Sequence, residues 1–129
     1  NNKAKNLVKC ANQLINDHNS QVPSEMKELT SLAGVGRKVA NVIRNCVHGL
    51  DGIVVDTHVA RVANRLNWVS TTNATKIERE LASWIPENNQ AEASNCLVLF
   101  GRYTCKAKKP ECERCPVYQT CSSDDKKQF

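Results

Sequence analysis

Apolar positions recur at three- and four-residue intervals along most of the chain, the spacing of amphipathic helices and not of strands. Leu7, Val8, Ala11, Leu14 and Ile15 mark a first helix that ends in His18-Asn19-Ser20 before Pro23. Ser24 is placed to cap a short second helix, with Glu25 and Glu28 near its positive end and Met26, Leu29 and Leu32 on its inner face. Gly34 and Gly36 interrupt, and a third helix follows from about Arg37 to Val47, its apolar positions being Val39, Ala40, Val42, Ile43, Cys46 and Val47. After a turn at His48–Gly52 and a short extended piece, Ile53-Val54-Val55, Asp56 reads as the N-cap of a helix carrying Val59, Val62, Ala63 and Leu66. Two more helices are predicted, about Asn73–Ile85 with Ile77, Leu81, Trp84 and Ile85 inward, and about Gln90–Phe100. Trp68 and Trp84 read as core residues. Periodicity stops at Gly101, a cysteine-bearing loop takes over, and Ser122–Phe129 reads as a polar tail. No strand pattern and no internal repeat is present, so the fold class is all-α.

A chain of 129 residues, 40% hydrophobic and 24% charged, suits one ordinary core or two small lobes. Two lobes are expected here. Residues 1–55 hold the glycine-interrupted helix pair, at about 24–48, and residues 56–129 hold the cysteine loop at 105–121. No apolar run approaches the roughly 20 residues of a membrane helix. No signal peptide is visible in a chain that starts at Asn1 and not at a methionine. The net charge of +5 is compatible with a polyanionic partner. Its placement says more: five basic residues, Lys106, Lys108 and Lys109 among them, stand against two acidic ones between Arg102 and Arg114. A solvated charged loop is the plainer explanation.

Four of the seven cysteines are clustered as Cys105-x6-Cys112-x2-Cys115-x5-Cys121; Cys10, Cys46 and Cys96 are scattered over helical segments. An odd count with this distribution argues against a secreted disulfide framework and for a reducing compartment. Four thiolates this close can surround a zinc ion or an iron–sulfur cluster. The lopsided spacing differs both from paired zinc knuckles and from ferredoxin runs. Free buried thiols are the third reading, weakened by a loop too polar to offer them a core. Metal binding would supply the folding free energy such a loop lacks, and would hold its lysines on a rigid surface.

The segment Gly34-Val35-Gly36-Arg37-Lys38 combines a turn that can approach a ligand closely with the start of a helix, where backbone N–H groups favour anions. Such contacts position a nucleic acid without reading its bases. A helix–turn–helix corner that merely needs glycine would look the same. Lys38 adds chemistry. It falls in the first helical turn, where the macrodipole disfavours positive charge, and lysine is the residue for Schiff-base formation at a carbonyl or sugar carbon. Asp56 caps a helix on either reading, and a carboxylate fixed by N–H groups is also suited to a sugar that develops positive charge. His58 is a DNA contact or a helix-surface residue. His18 and His48 read as helix-end and turn residues.

Three segments together carry a resemblance. They are Leu32-Ala33-Gly34-Val35-Gly36-Arg37-Lys38-Val39-Ala40-Asn41-Val42, then Val55-Asp56-Thr57-His58, then Gly101-Arg102-Tyr103-Thr104-Cys105 leading into the four-cysteine loop. In this order and spacing they resemble the endonuclease III family of helix-hairpin-helix DNA glycosylases with lyase activity. The resemblance implies base-excision repair of oxidised pyrimidines. Lys38 attacks C1′ of a flipped nucleotide, Asp56 is the catalytic carboxylate, and β-elimination cleaves the strand. Cys105, Cys112, Cys115 and Cys121 hold a [4Fe–4S] cluster with a structural or affinity-tuning role. Gly34, Val35, Gly36, Arg37, His58, Lys106, Lys108 and Lys109 contact DNA. The partner is double-stranded DNA with damaged pyrimidines or abasic sites, met by a monomer away from membranes, in the bacterial cytoplasm or in a eukaryotic nucleus or mitochondrion.

Within the superfamily, adenine glycosylases lack the lysine and oxoguanine glycosylases lack the cluster, so the three features together point to the endonuclease III branch. Ala33 stands where the family usually has proline. The chain matches roughly the C-terminal three-fifths of such an enzyme, an extent set against ordinary domain sizes. The wedge residue and further helices of the first lobe are expected upstream of Asn1. Two other functions fit the same residues: a non-catalytic DNA-binding fragment using the hairpin and basic loop, and a four-cysteine zinc interaction domain.

Overall fold

A computed structural model describes residues 1–127 and is helical, with no strand among the described residues. The chain divides after Leu50 into two units. The first holds α1 (Asn2–Asp17), α2 (Met26–Ser31) and α3 (Arg37–His48); the second holds α4 (Thr57–Arg65), α5 (Ala74–Trp84) and α6 (Gln90–Tyr103), with single 3-10 turns at Glu87–Asn89 and Cys112–Arg114.

In the first unit, Leu29, Leu32 and Ala40 form the buried centre, and Cys10, Leu14, Met26, Val35 and Ile43 pack against it. Ser24 does not cap α2. Glu25 occupies the cap position without a side-chain bond, and the Ser24 carbonyl instead accepts from Arg44 Nη1 of α3 at 2.8 Å. A long-range tie from the hairpin's second helix thus replaces the local cap. The apolar face of α1 is only partly used. Leu14 is packed, whereas Leu7, Val8 and Ile15 are exposed, as are Val39, Val42 and Val47 of α3. Helical period defines such a stripe; burial needs a neighbour over each position.

The second unit has the larger core: Ile53, Val55, Val59, Val62, Ala63, Val69, Ile77, Leu81, Ile85 and Leu97. Burying a side chain such as Ile77 or Leu81 contributes about 1.5–3 kcal/mol. The segment Ile53–Val55 joins no ladder. Ile53 and Val55 are buried, and the Val54 N–H donates to Ser94 Oγ at 2.9 Å. Helix α4 packs on α6 and α5. Gly101 does not end α6, which continues to Tyr103. It lies where α6 crosses α4, and a Cβ built there would be 2.9 Å from His58 Cβ and 3.1 Å from Val62 Cγ2.

One further expectation is corrected. Trp68 and Trp84 are not core residues. Both are exposed, and they meet edge to face with ring centroids 5.2 Å apart. The pair covers apolar surface by stacking on itself, a geometry aromatic quadrupoles favour. The polar tail, as far as Lys127, is tied to the rest of the unit at two points: Ser122 and Asp125 bond back to Asn67 and Arg65. Gln128 and Phe129 of that tail lie outside the described residues.

Candidate functional site

The hairpin between α2 and α3 is tied by its own backbone and by α1. Val35 N–H donates to the Leu32 carbonyl at 3.1 Å. Gln13 of α1 receives the Ala33 N–H at 2.8 Å and donates to the Ser31 carbonyl at 3.1 Å. Gly34 sits at φ +79°, the left-handed region that favours glycine, with Asn6 Cβ 3.2 Å from where its own Cβ would be. Gly36 differs. Its φ of −95° is open to any residue, and a Cβ there would meet nothing within 4 Å. The fold does not need glycine at 36, and the space its missing side chain leaves is available to a ligand. Gly36 is also the N-cap of α3, and it supplies no side-chain bond to the first turn. That turn carries no acidic residue, and Lys38 lies exposed within it. The result is a helix start whose backbone N–H groups and charge suit an anion.

Asp56 is the N-cap of α4. Its Oδ1 accepts from the His58 N–H at 2.9 Å and the Val59 N–H at 2.8 Å. Both cap bonds go to Oδ1, so Oδ2 is not committed to the cap. Asp56 belongs to the second unit and Lys38 to the first. His58 turns Nδ1 toward Arg61 Nη2, at 3.3 Å.

Cys105, Cys112, Cys115 and Cys121 line a single cavity with the apolar side chains of Phe100 and Val117. Burial pushes the Cys115 thiol up, and the nearby Cys105, Cys121 and Cys112 add to this against one backbone hydrogen bond from Val117. Among the described residues, no three of the candidate ligand side chains gather tightly enough for a single ion. Zinc holds sulfur at about 2.3 Å around one point, whereas a four-iron cluster spreads four thiolates over its corners. Four cysteines lining one cavity form a donor set that suits the corners of a four-iron cluster.

Two arginines that the periodicity and motifs do not single out hold this loop to α4. Arg61 Nη2 donates to the Gly101 carbonyl at 2.7 Å and to the Cys105 carbonyl at 3.1 Å. Arg65 Nη1 donates to the Lys106 carbonyl at 2.7 Å and to Cys105 Sγ at 3.5 Å, while its Nε meets Asp125 Oδ2 at 2.8 Å. Burial opposes the Arg65 charge, but the hydrogen bonds to Cys105 and Asp125 outweigh it and hold the guanidinium above its ordinary value. The one signal for them in the sequence is their spacing, four residues apart on one edge of a helix whose other edge is apolar. Of the predicted basic contacts, Lys106 is engaged in an ion pair with Glu111, which Arg114 also joins. The Lys106 hydrogen bond, helped by the Arg114 charge against desolvation, holds the Glu111 carboxyl below the usual range. Lys108 and Lys109 are exposed.

Comparison with known proteins identifies the family of the chain. Residues 1–87 match the model of the HhH-GPD superfamily of base excision DNA repair proteins, and residues 105–121 match the iron–sulfur binding domain of endonuclease III. Endonuclease III of Rickettsia felis is 45% identical over 121 residues, covering 94% of this chain and 57% of the relative. That of Haemophilus influenzae is 41% identical over 129 residues, covering 100% of this chain and 61% of the relative. A solved complex described as a trapped endonuclease III–DNA covalent intermediate superposes with a TM-score of 0.90 at 39% identity, over 94% of this chain and 57% of the other. The chain therefore spans about three-fifths of the length of the curated relatives it matches.

Proposed function

From the premise that this chain belongs to the HhH-GPD superfamily of base excision DNA repair proteins, we propose that it carries the catalytic residues of a DNA glycosylase with lyase activity on oxidised pyrimidines. The observation that carries this reading is the open space at Gly36 beside the exposed Lys38, at a helix start with no side-chain cap. A phosphate can be received there by backbone N–H groups, with an amine adjacent. No helix of the described residues is long and apolar enough to cross a membrane.

The reaction proceeds on a nucleotide turned out of the duplex, since C1′ is not reachable within the stack. The neutral amine of Lys38 forms a bond to C1′ as the bond from C1′ to the base nitrogen breaks, and the base leaves with that electron pair and takes up a proton. Asp56, fixed through Oδ1 by two backbone N–H groups, offers a stationary anion to the sugar as positive charge develops. It also accepts the proton that the attacking amine must lose. The bond from C1′ to the ring oxygen then breaks as the Lys38 nitrogen lone pair forms the C=N bond, and the ring oxygen takes up a proton, which leaves an imine between Lys38 and C1′. A base then removes a C2′ proton, the electron pair left behind forms the C2′–C3′ double bond, and the C3′–O bond breaks so that the phosphate leaves with its electrons and the strand is cut.

Gly34, Val35, Gly36 and Arg37 hold the backbone, with His58 and the exposed Lys108 and Lys109 as further DNA contacts; Lys106 contributes through the loop it braces. Cys105, Cys112, Cys115 and Cys121, which line one cavity, hold the [4Fe–4S] cluster, which supplies folding free energy to the loop when bound. Duplex DNA containing damaged pyrimidines or abasic sites is the partner, met by a monomer.

Borohydride trapping on duplex DNA with one abasic site tests the assignment. A covalent complex is expected with the unaltered chain and none with Lys38→Ala. Salt-sensitive binding without any cross-link would reassign the chain as a DNA-binding module. A cross-link that persists in Lys38→Ala would remove Lys38 from its role.

A further inference from the structure

The residues after Cys121 return over the cysteine loop. Asn67 Nδ2 donates to Ser122 Oγ at 2.7 Å. Lys126 Nζ donates to the Cys121 carbonyl at 3.2 Å and stands 4.1 Å from the centre of the Tyr118 ring. Asp125 Oδ2 accepts from Arg65 Nε at 2.8 Å. As a result Ser123, Asp125 and Lys126 wall the same cavity that the four cysteines line.

Arg65 connects this segment to the sulfur. One edge of its guanidinium holds Asp125, and Nη1 on the other side reaches Cys105 Sγ. The pair is one-sided: the Arg65 side chain is 12% exposed and that of Asp125 63%. The acid can move into water while the arginine stays seated against α4 and the loop. Hydrogen bonds to the sulfurs, local charge and solvent access are the levers by which a protein tunes an iron–sulfur site. All three meet at Arg65 and the segment it holds.

We propose that Ser122–Lys126 is a strap over the iron–sulfur site, which limits solvent access to the cluster and, through Asp125, moderates the positive charge that Arg65 presents to Cys105. This rests on the assignment of the four cysteines as cluster ligands. Without Asp125, the Arg65 charge is uncompensated beside Cys105, which favours the more negative, reduced cluster. The Ser122 hydroxyl, by contrast, holds the strap without touching the arginine.

The full chain, isolated with its cluster, is compared with Asp125→Ala and Ser122→Ala. Iron and sulfide are measured per chain, then the rate at which a ferrous chelator bleaches the visible absorbance of the cluster, then the cluster's reduction potential. Asp125→Ala is expected to bleach about two- to fivefold faster, the scale for loss of a half-exposed ion pair, and to shift the potential upward. Ser122→Ala is expected to bleach faster with its potential unmoved. Equal bleaching rates in all three chains, each with full iron, would overturn the strap. Faster bleaching of Asp125→Ala with an unshifted potential would overturn the route through Arg65. An unaltered chain that holds zinc without iron or sulfide would overturn the cluster assignment and the strap together.

Discussion

Gly101 of α6 lies against His58 of α4 so closely that a Cβ on the glycine would stand 2.9 Å from the His58 Cβ and 3.3 Å from its Cα. The second of these is backbone and cannot swing aside. Gly101→Ala is therefore expected to force α6 away from α4 and to destabilise the fold by about 1–3 kcal/mol, the range for overpacking a tight contact. Chemical denaturation of the two chains measures it. An unchanged midpoint would mean that the helices separate at no cost. The same displacement would move the first turn of α4, and with it the Asp56 cap.

The two hairpin glycines are expected to separate stability from binding. Gly34→Ala places a Cβ at φ +79° and against Asn6, so it is expected to lower stability by about 1–2 kcal/mol. Gly36→Ala meets open space at an ordinary φ, so it is expected to lose only the preference for glycine over alanine at an N-cap, less than about 1 kcal/mol, and to melt above Gly34→Ala. If the space at Gly36 receives a phosphate, Gly36→Ala and, more strongly, Gly36→Val should weaken binding to duplex DNA at fixed salt. Thermal melts and fluorescence anisotropy on the same samples make the comparison. Loss of folding in Gly36→Ala, or unaltered affinity in Gly36→Val, would count against the assignment of that space.

Asp56 has a structural role as a cap and a proposed chemical one, and two substitutions divide them. Asn is as good an N-cap as Asp, so Asp56→Asn should retain the bonds to His58 and Val59 and most of the stability. Asp56→Ala should lose about 1 kcal/mol with the cap. Both remove the carboxylate, so both are expected to slow base release by at least about a hundredfold, the lower end for a positioned proton-transfer group. Asp56→Asn at full stability and full rate would leave Asp56 as a cap alone.

Features written in neighbouring residues are legible in the sequence alone. Asp56 ahead of a helical stripe announces a cap, and the cap is formed by its own following N–H groups, two and three residues on. The glycines ahead of Lys38 place it in a first helical turn, and it lies there. The four-cysteine spacing announces a shared site, and the four thiols line one cavity. Features that depend on what lies over a residue are not legible in this way. Trp68 and Trp84 have the spacing of core residues, but period marks an apolar position and cannot say whether anything covers it. Gly101 has the look of a helix stop, because the reason for it, the crossing of α4, lies far back in the chain.

By itself, then, the sequence determined the helices, the Asp56 cap, the hairpin and the grouping of the cysteines, because each is a matter of hydrogen bonds and side-chain spacing within a few residues. Only the tertiary structure decided which glycine is required by backbone and which leaves room. It alone showed that Arg61 and Arg65 bind the cysteine loop to α4, and that the tail returns through Asp125 to Arg65. Those outcomes turn on partners far apart along the chain, whose approach is set by how α4, α6 and the loop pack and not by any local pattern.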